Sequence, residues 1–326
     1  MCAKLDEIPD VGHAGYVTVG RATIALDGVA SGPLDLHCPD VSNTHFVLIP
    51  SFNSGRLLAA TVAAARAFWA PVWVVIDGST DDSLAAVETM ARQDPALHLL
   101  RLPRNRGKGA AVRHGLEAAQ SRGFTHALVM DADGQHPADR IPDFMATSAA
   151  APESLVMGRP VFGADAPWLR VAARRLCNGC AALETLRPVG DTLFGFRVYP
   201  VGALLSVMQA SSGMRRFDFD PEAVVRLTWQ GTPLIHLPTQ VRYLSRVEGG
   251  ISHFNYLRDN VLLIGMHLRL SLAAILRIPF AVRGWWGSSG VRACWTDKAP
   301  ATPMPAGLPR AISAVERGIR WISRTP

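Results

Sequence analysis

The sequence predicts an α/β protein built on a mostly parallel, doubly wound sheet, and three observations support this fold class. From residue 44 to residue 130, short apolar runs alternate with helical patterns of roughly ten to fifteen residues, as expected of right-handed βαβ units. The run from Ala127 to Met130 is apolar throughout, which is typical of a strand buried on both faces. The length of 326 residues is sufficient for one large core, with or without a small appendage.

The main domain is predicted to span residues 44–254, and its first half contains the most regular pattern. Strands are expected at residues 45–49, 72–76, 97–101 and 127–130. Helices are expected at residues 56–69, 83–92 and 107–121, and Asp81 or Asp82 is a suitable N-cap for the second of them. The strands should therefore lie side by side, with their carboxyl ends at one edge of the sheet.

The remaining regions carry weaker patterns. In the second half of the domain we expect strands at 155–158 and 192–198, helices at 168–186 and 221–229, and paired strands at 233–237 and 240–244. Residues 1–43 are predicted to be an irregular extension with β-like runs at 16–19 and 23–26. Residues 287–326 are predicted to be a tail that contains a short amphipathic helix near 311–322.

Composition narrows the classes of partner. Apolar residues make up 48% of the chain and charged residues only 18%, which indicates that some apolar surface meets lipid or another protein. The net charge of +6 favours phosphate-bearing ligands or an anionic membrane surface. No long run of Lys and Arg is interleaved with aromatic residues, so nucleic acid is not an expected partner.

Cysteine usage and the N-terminus both indicate a cytoplasmic location. The five cysteines form an odd, scattered set, which is typical of a reducing compartment. Cys177 and Cys180 make a single Cys-x-x-Cys without a second pair, so we expect buried thiols rather than a zinc site. The first residues lack the charged and then apolar pattern of a secretory signal.

An Asp-Ala-Asp sequence follows the predicted central strand. Asp131 and Asp133 would lie at the carboxyl end of that strand, where open α/β sheets bind their ligands. Two carboxylates form a hard oxygen site that suits Mg²⁺ or Mn²⁺, ions usually held by one or two carboxylates together with substrate phosphates. The alternative for this motif alone is a solvated, Asp-rich turn.

A second loop has the chemistry of a phosphate cradle. Residues 105–109 read Asn-Arg-Gly-Lys-Gly and precede a predicted helix, so that free backbone N–H groups, close backbone approach and the charge of Lys108 would meet. The alternative is an ordinary loop between a strand and a helix. Residues 77–81, Asp-Gly-Ser-Thr-Asp, are likewise either a capped turn or a contact to the base and ribose of a nucleotide.

Taken in order, four motifs resemble the inverting family-two glycosyltransferases. They are Ile-Pro-Ser-Phe-Asn at 49–53, Ile-Asp-Gly-Ser-Thr-Asp at 76–81, Asn-Arg-Gly-Lys-Gly-Ala at 105–110 and Met-Asp-Ala-Asp-Gly-Gln-His-Pro at 130–137. The Gln-His-Pro ending is similar to the dolichyl-phosphate mannose synthase branch, and the resemblance extends from residue 46 to residue 254. It departs from the family at Ile76, where the pattern usually has Asp.

The resemblance implies a GT-A fold, a nucleotide-diphosphate sugar as donor and a bound Mg²⁺ or Mn²⁺. The metal would lie on Asp131 and Asp133, assisted by Gln135. The residues that would contact the donor are Pro50, Phe52, Asn53, Asp77, Lys108, Asp131 and Ala132.

The second half of the domain continues the resemblance. Arg159, Asp191 and Arg197 lie in matching motifs and would bind the acceptor, which is expected to be a lipid phosphate or a glycolipid. Asp220 lies where the wider family places its catalytic carboxylate, and Arg246 lies in the loop that would close over the donor phosphates, with His253 where Lys is more usual. A hydroxyl acceptor would need Asp220 as general base, with Asp218 or Glu222 in reserve, whereas a lipid phosphate is already anionic.

The apolar segment at residues 255–286 predicts amphipathic helices on the membrane surface. Arg258, Arg269 and Arg277 fall within about a 100° arc of a helix and, with Arg283, would face anionic headgroups. A transmembrane span is disfavoured by Arg269 near the centre of the segment. A buried core helix or a dimer contact is the other alternative, and the expected location is the inner face of the membrane.

The sequence is compatible with two other functional classes. A non-catalytic relative that binds a nucleotide or a partner is supported only by Ile76, while Asp131, Asp133 and Asp220 favour an enzyme. A sugar-nucleotide pyrophosphorylase shares the doubly wound sheet, but it should carry a Gly-rich loop with Arg after the first strand, and residues 50–53 do not fit. The predicted function is therefore a metal-dependent inverting glycosyltransferase.

Overall fold

The computed structural model of the chain describes residues 16–19, 22–25, 40–161, 168–241 and 256–285. Arg246, His253, Arg283 as a side chain, and the predicted helix near 311–322 lie outside the described residues, as does most of the predicted strand at 240–244. By its internal contacts the chain divides into Met1–Ile278 and Pro279–Pro326, and the description below concerns the first unit.

The described elements alternate as the sequence predicts. The strands are β1 (Tyr16–Val19), β2 (Ala22–Ala25), β3 (His45–Ser51), β4 (Val72–Asp77), β5 (Leu97–Leu102), β6 (His126–Val129), β7 (Leu155–Val161), β8 (Arg197–Pro200) and β9 (Leu234–Gln240). The helices are α1 (Gly55–Phe68), α2 (Ser83–Gln93), α3 (Lys108–Gln120), α4 (Ile141–Ala150), α5 (Trp168–Thr185), α6 (Val201–Gln209), α7 (Phe219–Trp229) and α8 (Tyr256–Trp285).

Seven strands form one sheet in the order β5-β4-β3-β6-β8-β7-β9. β5, β4, β3 and β6 are parallel, and β7 is parallel to β9, while β8 is antiparallel to both of its neighbours. Six strands therefore point toward the same edge, which we call the carboxyl edge, and β8 begins there. β1 and β2 form a separate antiparallel hairpin.

Helices cover both faces of the sheet, which confirms the doubly wound α/β fold. Alternate residues of the parallel strands enter two separate cores, as the period of two in a strand requires. Phe46 and Leu48 pack with α3, α6 and α7 on one face, and Val47 and Ile49 pack with α1 and α4 on the other. Because both faces are buried, the strands are apolar throughout rather than alternating.

Most predicted elements of the first half are confirmed to within two residues, and two predictions in the second half need correction. The run at 233–237 belongs to one longer strand, residues 234–240, which pairs with β7, and most of the partner run at 240–244 lies outside the described residues. The strand expected at 192–198 begins only at Arg197. α4 and α6 were not predicted, since they are only ten and nine residues long.

Helix α8 lies along the domain, and its arginines at 258, 269 and 277 contact protein groups while keeping part of each side chain in solvent. The Arg269 guanidinium is 2.6 Å from a carboxylate oxygen of the buried Glu222, and Arg277 stacks over the ring of Trp229. Arg258 contacts Asp259, which is fully buried. The prediction that these arginines face lipid headgroups therefore fails at Arg269, which is paired with a buried carboxylate of the domain, whereas Arg258 and Arg277 remain exposed.

The solvent-facing stripe of α8 is apolar instead. Leu268 and Leu272 are each more than 60% exposed, and a further three large apolar residues share their side of the helix: Val261, Ile264 and Ile275. The stretch Arg258–Arg277 is long and apolar enough to cross a membrane, and only 17% of its apolar window is buried. A buried core helix, one of the alternatives weighed for this segment, is excluded by that exposure.

Helix α5 also has exposed apolar side chains. Cys177 of α5 contacts His267 of α8, and Glu184 of α5 contacts both His267 and Ser271. Leu176 and Leu183 of α5 are each more than 70% exposed. We call these two leucines, together with Ile264, Leu268, Leu272 and Ile275 of α8, the outer apolar face.

Candidate active site

Five segments of the chain converge at the carboxyl edge of the sheet. β3, β4 and β6 end there in residues 51, 77 and 129, and β5 leads into the loop that starts α3. The loop before α7 returns to the same place, because the amide of Ala110 donates to the carbonyl of Arg215 over 3.1 Å. The first turns of α3 and α7 therefore face the ends of the parallel strands, which is where α/β proteins bind ligands.

Lys108 links the two predicted chemical centres at this edge. Its Nζ lies 2.6 Å from Oδ1 of Asp131 and 2.7 Å from Oδ2 of Asp220. The ammonium group is almost buried, yet the two carboxylates outweigh the burial and raise the pKa of Lys108 above its ordinary value. Residues 108, 131 and 220 are far apart in sequence, and the structure brings them into one ion triad.

Asp131 and Asp133 form the carboxylate pair that the sequence predicts. Although burial acts in the opposite direction, the Lys108 ammonium lowers the pKa of Asp131. Burial and the charge of Asp131 raise the pKa of Asp133, whose Oδ1 accepts the backbone N–H of Gln135 over 3.0 Å. The negative charge at Asp133 is thus only partly compensated by the protein, and a bound cation would compensate it.

The donor set fits a divalent metal that is completed by a ligand. Across the described ranges, no three residues among His, Cys, Asp and Glu come together as a closed metal site. Two carboxylates and the amide oxygen of Gln135 are hard oxygen donors, and Mg²⁺ typically takes one or two carboxylates plus substrate phosphates. Asp131, Asp133 and Gln135 would therefore hold the metal only together with a phosphate-bearing ligand.

Two residues at the site were missed by reasoning from sequence. The buried ring of His136 accepts the backbone N–H of Asp131 at Nδ1 over 3.0 Å, which leaves the proton of the neutral ring on Nε2, 3.8 Å from Oδ2 of Asp131. Burial lowers the pKa of His136 and favours this neutral form. Gly195 passes so close that a Cβ there would lie 2.8 Å from Nζ of Lys108 and 3.0 Å from Oδ2 of Asp131. The available signals were the Gln-His-Pro motif at 135–137 and the Phe-Gly-Phe sequence at 194–196, between Asp191 and Arg197.

The predicted donor contacts line the loops after β3 and β4. The side-chain oxygen of Asn53 accepts the backbone N–H of Thr80 over 2.8 Å, which ties the two loops together. Asn53 itself has a positive φ of 46°. Pro50 is a buried residue near the end of β3, Phe52 is half-buried, and Ala132 is buried beside Asp131. All of these residues are near the carboxyl edge.

Asp77 holds the phosphate-cradle loop in place. Its two carboxylate oxygens accept the backbone N–H groups of Arg106 and Gly107 over 2.8 and 2.7 Å. Burial raises the pKa of Asp77, and these two backbone bonds oppose that effect. Gly107 has a φ of +96°, and a Cβ at this position would meet the carbonyl oxygen of Arg215 at 2.5 Å, so only glycine allows the loop to start α3 here. The structure thus gives Asp77 a role in orienting Lys108.

Among the predicted acceptor residues, Arg159 alone is exposed at the carboxyl edge, on β7. Asp191 is buried and accepts hydrogen bonds from Arg174 and from the backbone of Leu193 and Phe194. Arg197 is fully buried and donates to the carbonyl oxygens of Asp191 and Asp220. Because a side chain with no exposed surface cannot touch an acceptor, the predicted acceptor contact of Arg197 is corrected to a positioning role.

The three candidates for the general base, Asp218, Asp220 and Glu222, differ in their hydrogen-bond partners. Asp218 accepts the backbone N–H groups of Met214 and Arg216, and Glu222 is bound by Ser211, Arg226 and Arg269. Asp220 alone faces the site. Its Oδ1 is closed off from solvent, has no hydrogen-bond partner among the described residues and lies 4.0 Å from the Arg197 guanidinium.

A mostly parallel α/β sheet with an Asp-x-Asp pair at its carboxyl edge, facing a lysine at a helix start, is the arrangement that the resemblance to GT-A glycosyltransferases implies. Residues 46–205 match the family model described as Glycosyl transferase family 2, which is the family that the sequence motifs resemble. The predicted family and the predicted enzyme class are both confirmed.

Relatives with assigned names match much of the same region. An undecaprenyl-phosphate mannosyltransferase from Micrococcus luteus is 26% identical over 216 residues, which cover 63% of this chain and 87% of that protein. An undecaprenyl-phosphate 4-deoxy-4-formamido-L-arabinose transferase from Sodalis glossinidius is 30% identical over 180 residues, which cover 51% of this chain and 52% of that protein. The match thus spans about half the length of the Sodalis protein.

Among solved structures, glucosyl-3-phosphoglycerate synthase from Mycobacterium tuberculosis in complex with uridine diphosphate aligns with a TM-score of 0.48 and 16% identity. The alignment covers 70% of this chain and 80% of that chain.

Proposed function

We propose that this protein is a metal-dependent inverting glycosyltransferase that moves a sugar from a nucleotide-diphosphate donor to a lipid phosphate. The observation that carries the proposal is the Lys108 bridge, which places the Asp131–Asp133 pair, the start of α3 and Asp220 within one small site. The family and the names of the relatives, several of which are undecaprenyl-phosphate transferases, support the same class of reaction.

The donor diphosphate would lie against the start of α3. Free N–H groups in the first turn of a helix bind anions, and Gly107 lets the backbone approach closely. Asp131, Asp133 and Gln135 would hold Mg²⁺ or Mn²⁺, which offsets the negative charge on the departing diphosphate when bound. Arg246, which lies outside the described residues, remains the predicted second cation for that charge.

Lys108 adds a further positive charge at the place where the leaving group would develop charge. In the structure its ammonium is shared by Asp131 and Asp220, and so it is held in a fixed position. A preorganised charge of this kind stabilises a transition state without the cost of reorganising solvent. His136 holds Asp131 through its backbone N–H, and Gly195 leaves the space that the side chains of Lys108 and Asp131 occupy.

The environment of Asp220 favours a lipid phosphate over a hydroxyl acceptor. A general base must reach the proton that it removes, directly or through one water molecule. Only 5% of Asp220 is exposed, one oxygen is bound to Lys108, and the other is closed off from solvent. A phosphate oxygen that is already anionic attacks without a base, so Asp220 would serve to position Lys108 instead.

The outer apolar face would contact the membrane that contains the acceptor lipid. Its residues are exposed leucines and isoleucines, and no charged residue interrupts the stripe at Ile264, Leu268, Leu272 and Ile275. We propose that α5 and α8 lie on the bilayer through this face, with the carboxyl edge of the sheet near the headgroups. The cytoplasmic side remains the expected one.

The acceptor can be tested with a matched pair of lipids. Purified protein in anionic vesicles is incubated with a panel of UDP-, GDP- and CDP-linked sugars and Mn²⁺, and with either a polyprenyl phosphate or the corresponding polyprenol. We expect a glycolipid only with the phosphate, and we expect it to have the anomeric configuration opposite to that of the donor. Faster transfer to the polyprenol, or retention of configuration, would contradict the proposal.

A further inference from the structure

The ion pair between Arg269 of α8 and Glu222 of α7 also holds the loop between α6 and α7, residues 210–218. Nη2 of Arg269 donates to Oε2 of Glu222 over 2.6 Å, and Oγ of Ser211 donates to Oε1 over 2.6 Å. The Ser211 oxygen in turn accepts the backbone N–H of Gly213 over 3.0 Å. A Cβ at Gly213 would collide with the Arg269 guanidinium and lie 2.7 Å from Oε2 of Glu222. The backbone of this α6–α7 loop is therefore packed directly against the ion pair.

The α6–α7 loop also packs against the first turn of α3. Asp218 accepts the backbone N–H of Met214 over 2.9 Å, which fixes the course of the loop. The backbone N–H of Ala110 donates to the carbonyl of Arg215 over 3.1 Å. A Cβ at Gly109 would collide with the carbonyl oxygen of Met214, so no gap separates the loop from α3. Because these contacts lie next to the lysine of the ion triad, a shift of the loop moves that lysine.

Helix α7 provides a second route from the same ion pair to the active site. Asp220 and Glu222 are two positions apart, or about 200° around the helix, so they point to opposite sides of α7. Asp220 binds Lys108 over 2.7 Å, whereas Glu222 binds Arg269. Both carboxylates are almost fully buried, and a buried carboxylate that loses its partner must find another. A change at Arg269 therefore also moves the first turn of α7.

Arg269 cannot be replaced by the other partners of Glu222. Ser211 and Arg226 both bind Oε1, whereas Oε2 has the Arg269 guanidinium as its one hydrogen-bond donor among the described residues. Without Arg269, the carboxylate must rotate toward a new donor, and the hydrogen bond from Ser211 rotates with it. The α6–α7 loop begins at that serine, so the loop would lose its present position.

We propose that Arg269 is a positioning residue for sugar transfer. By holding Oε2 of Glu222, it keeps the α6–α7 loop and α7 where they place Lys108 between Asp131 and Asp220. Arg269 does not touch the site itself, since its ion pair lies on the far side of α7 from Asp220. The inference rests on the proposed function, in which Lys108 faces the departing diphosphate. It gives α8 a part in the reaction that is separate from its contact with a membrane.

The first test compares Arg269→Gln with Arg269→Lys in the transfer assay with a polyprenyl phosphate. The assay is run in detergent micelles, so that attachment to vesicles has no influence, and well below the melting temperature of each variant. Because misplacement of about 1 Å can cost up to ~10²-fold in rate, we expect Arg269→Gln to lower kcat about tenfold. KM for donor and acceptor should stay near the wild-type values, since no substrate contact is removed. Arg269→Lys keeps a cation beside Oε2 and should recover most of kcat.

The matched control is Arg277→Gln, which removes the same charge from the same helix. Arg277 contacts the ring and the carbonyl oxygen of Trp229 and not Glu222, so its variant should keep the wild-type kcat. Gly213→Ala separates Arg269 from Glu222 without removing a charge, and it should lower kcat as Arg269→Gln does. Wild-type kcat in either Arg269→Gln or Gly213→Ala would overturn the inference. No transfer by any protein, the wild type included, would contradict the proposed function instead.

A second measurement needs no activity. Hydrogen exchange of the backbone amides of Ala110 and Met214 reports on the two hydrogen bonds that hold the loop. In Arg269→Gln these amides should exchange about tenfold faster than in the wild type, while the amides of α1 on the other face of the sheet should exchange at the wild-type rate. Unchanged exchange at both amides would overturn the inference. An equal rise in α1 would also overturn it, because Arg269 would then only stabilise the fold as a whole.

Discussion

At the scale of the residue, Lys108 determines how the site is assembled. It is the first residue of α3, and its ammonium joins Asp131, which follows β6, to Asp220, in the first turn of α7. A buried carboxylate is stable only when it is paired, so each acid depends on this lysine. The sequence indicates all three residues separately, but spacing along the chain carries no information that one lysine contacts both acids.

The substitution Gly195→Ala tests how sensitive sugar transfer is to the positions of Lys108 and Asp131. A methyl group at this position would lie 2.8 Å from Nζ of Lys108 and 3.0 Å from Oδ2 of Asp131, so both side chains must move. Because misplacement of about 1 Å can cost up to ~10²-fold in rate, we expect Gly195→Ala to lower the rate of sugar transfer by about 10- to 100-fold. The melting temperature should change little, since the methyl group meets only side-chain atoms of the site at short range.

The matched control for this prediction is Gly179→Ala on α5. A Cβ at Gly179 meets no atom within 4 Å, and alanine is a better helix former than glycine by about 1 kcal/mol. The control protein should transfer sugar at the wild-type rate and be slightly more stable. Equal activity of the two variants would show that Gly195 does not constrain the triad.

His45 predicts a pH dependence of folding stability. Burial, with a smaller contribution from His126, lowers the pKa of His45 to about 4 from 6.5. The unfolded chain therefore binds a proton between pH 6.5 and 4 that the folded protein does not, and stability falls as the pH falls through this window. The loss attributable to His45 is on the order of 3 kcal/mol at most and ends below about pH 4.

The measurement compares the wild type with His45→Asn by urea unfolding at several pH values. The difference in unfolding free energy, wild type minus variant, should be constant above pH 7 and decrease between pH 6.5 and 4. His45 stacks on His126 at 4.4 Å between ring centroids, at the end of the sheet opposite the active site. A pH-independent difference would show that His45 titrates normally in the folded state.

At the scale of the element, α8 shows why the sequence did not predict which side of the helix packs on the domain. Its arginines recur with helical spacing, and so do its leucines, so the sequence predicts an amphipathic helix without saying which face meets the domain. The partners decide this: Glu222 is buried on α7 and takes Arg269, which turns the leucines outward. The buried partner is about fifty residues away in sequence and has no motif.

Arg269→Gln is therefore expected to lower the folding stability of the protein rather than to weaken its binding to membranes. Breaking a fully buried ion pair costs about 3–5 kcal/mol, but Arg269 is partly exposed, and Arg226 and Ser211 still bind Glu222. We expect a loss of about 1–2 kcal/mol in unfolding free energy. Arg92→Gln removes an exposed i,i+4 pair with Glu88 and should cost less than about 0.5 kcal/mol.

The outer apolar face gives a second prediction for α8. Leu268→Glu combined with Leu272→Glu should abolish flotation with liposomes, because two exposed apolar side chains become charged while the packed side of the helix is unchanged. The melting temperature should stay within a few degrees of the wild type. The control is Ala85→Glu with Ala86→Glu, which adds the same charge to exposed positions of α2. Equal flotation of both double variants would contradict a membrane contact through α8.

At the scale of the whole molecule, the parallel half of the fold was predictable and the antiparallel insertion was not. β3 to β6 and their helices follow from local apolar runs, because each strand is buried on both faces and each loop ends in recognisable residues. β8 is only four residues long and lies between β6 and β7 in reverse direction, which depends on pairing partners distant in sequence. The strands predicted at 192–198 and 233–237 were misassigned for the same reason.

The site residues can likewise be divided into those that the sequence predicts and those that depend on contacts distant in sequence. Asp131, Asp133, Asp220 and Lys108 were found because their residue types and motifs indicate charge chemistry. The roles of Arg197 and Asp191 were not predictable, because a buried arginine that donates to backbone carbonyls looks the same in sequence as an exposed one. His136 and Gly195 act through an orientation and a close approach, which have no signature other than the neighbouring motif.

The most direct test of the central claim is the metal dependence of sugar transfer to a polyprenyl phosphate. Wild-type protein and Asp131→Asn are assayed with the best donor from the panel, first in excess chelator and then after Mn²⁺ is restored. We expect no transfer by the wild type in chelator, recovery on addition of Mn²⁺, and no transfer by Asp131→Asn in either condition, because that variant lacks one of the two carboxylates that would hold the ion. Full transfer by the wild type in excess chelator, or by the variant, would contradict the account.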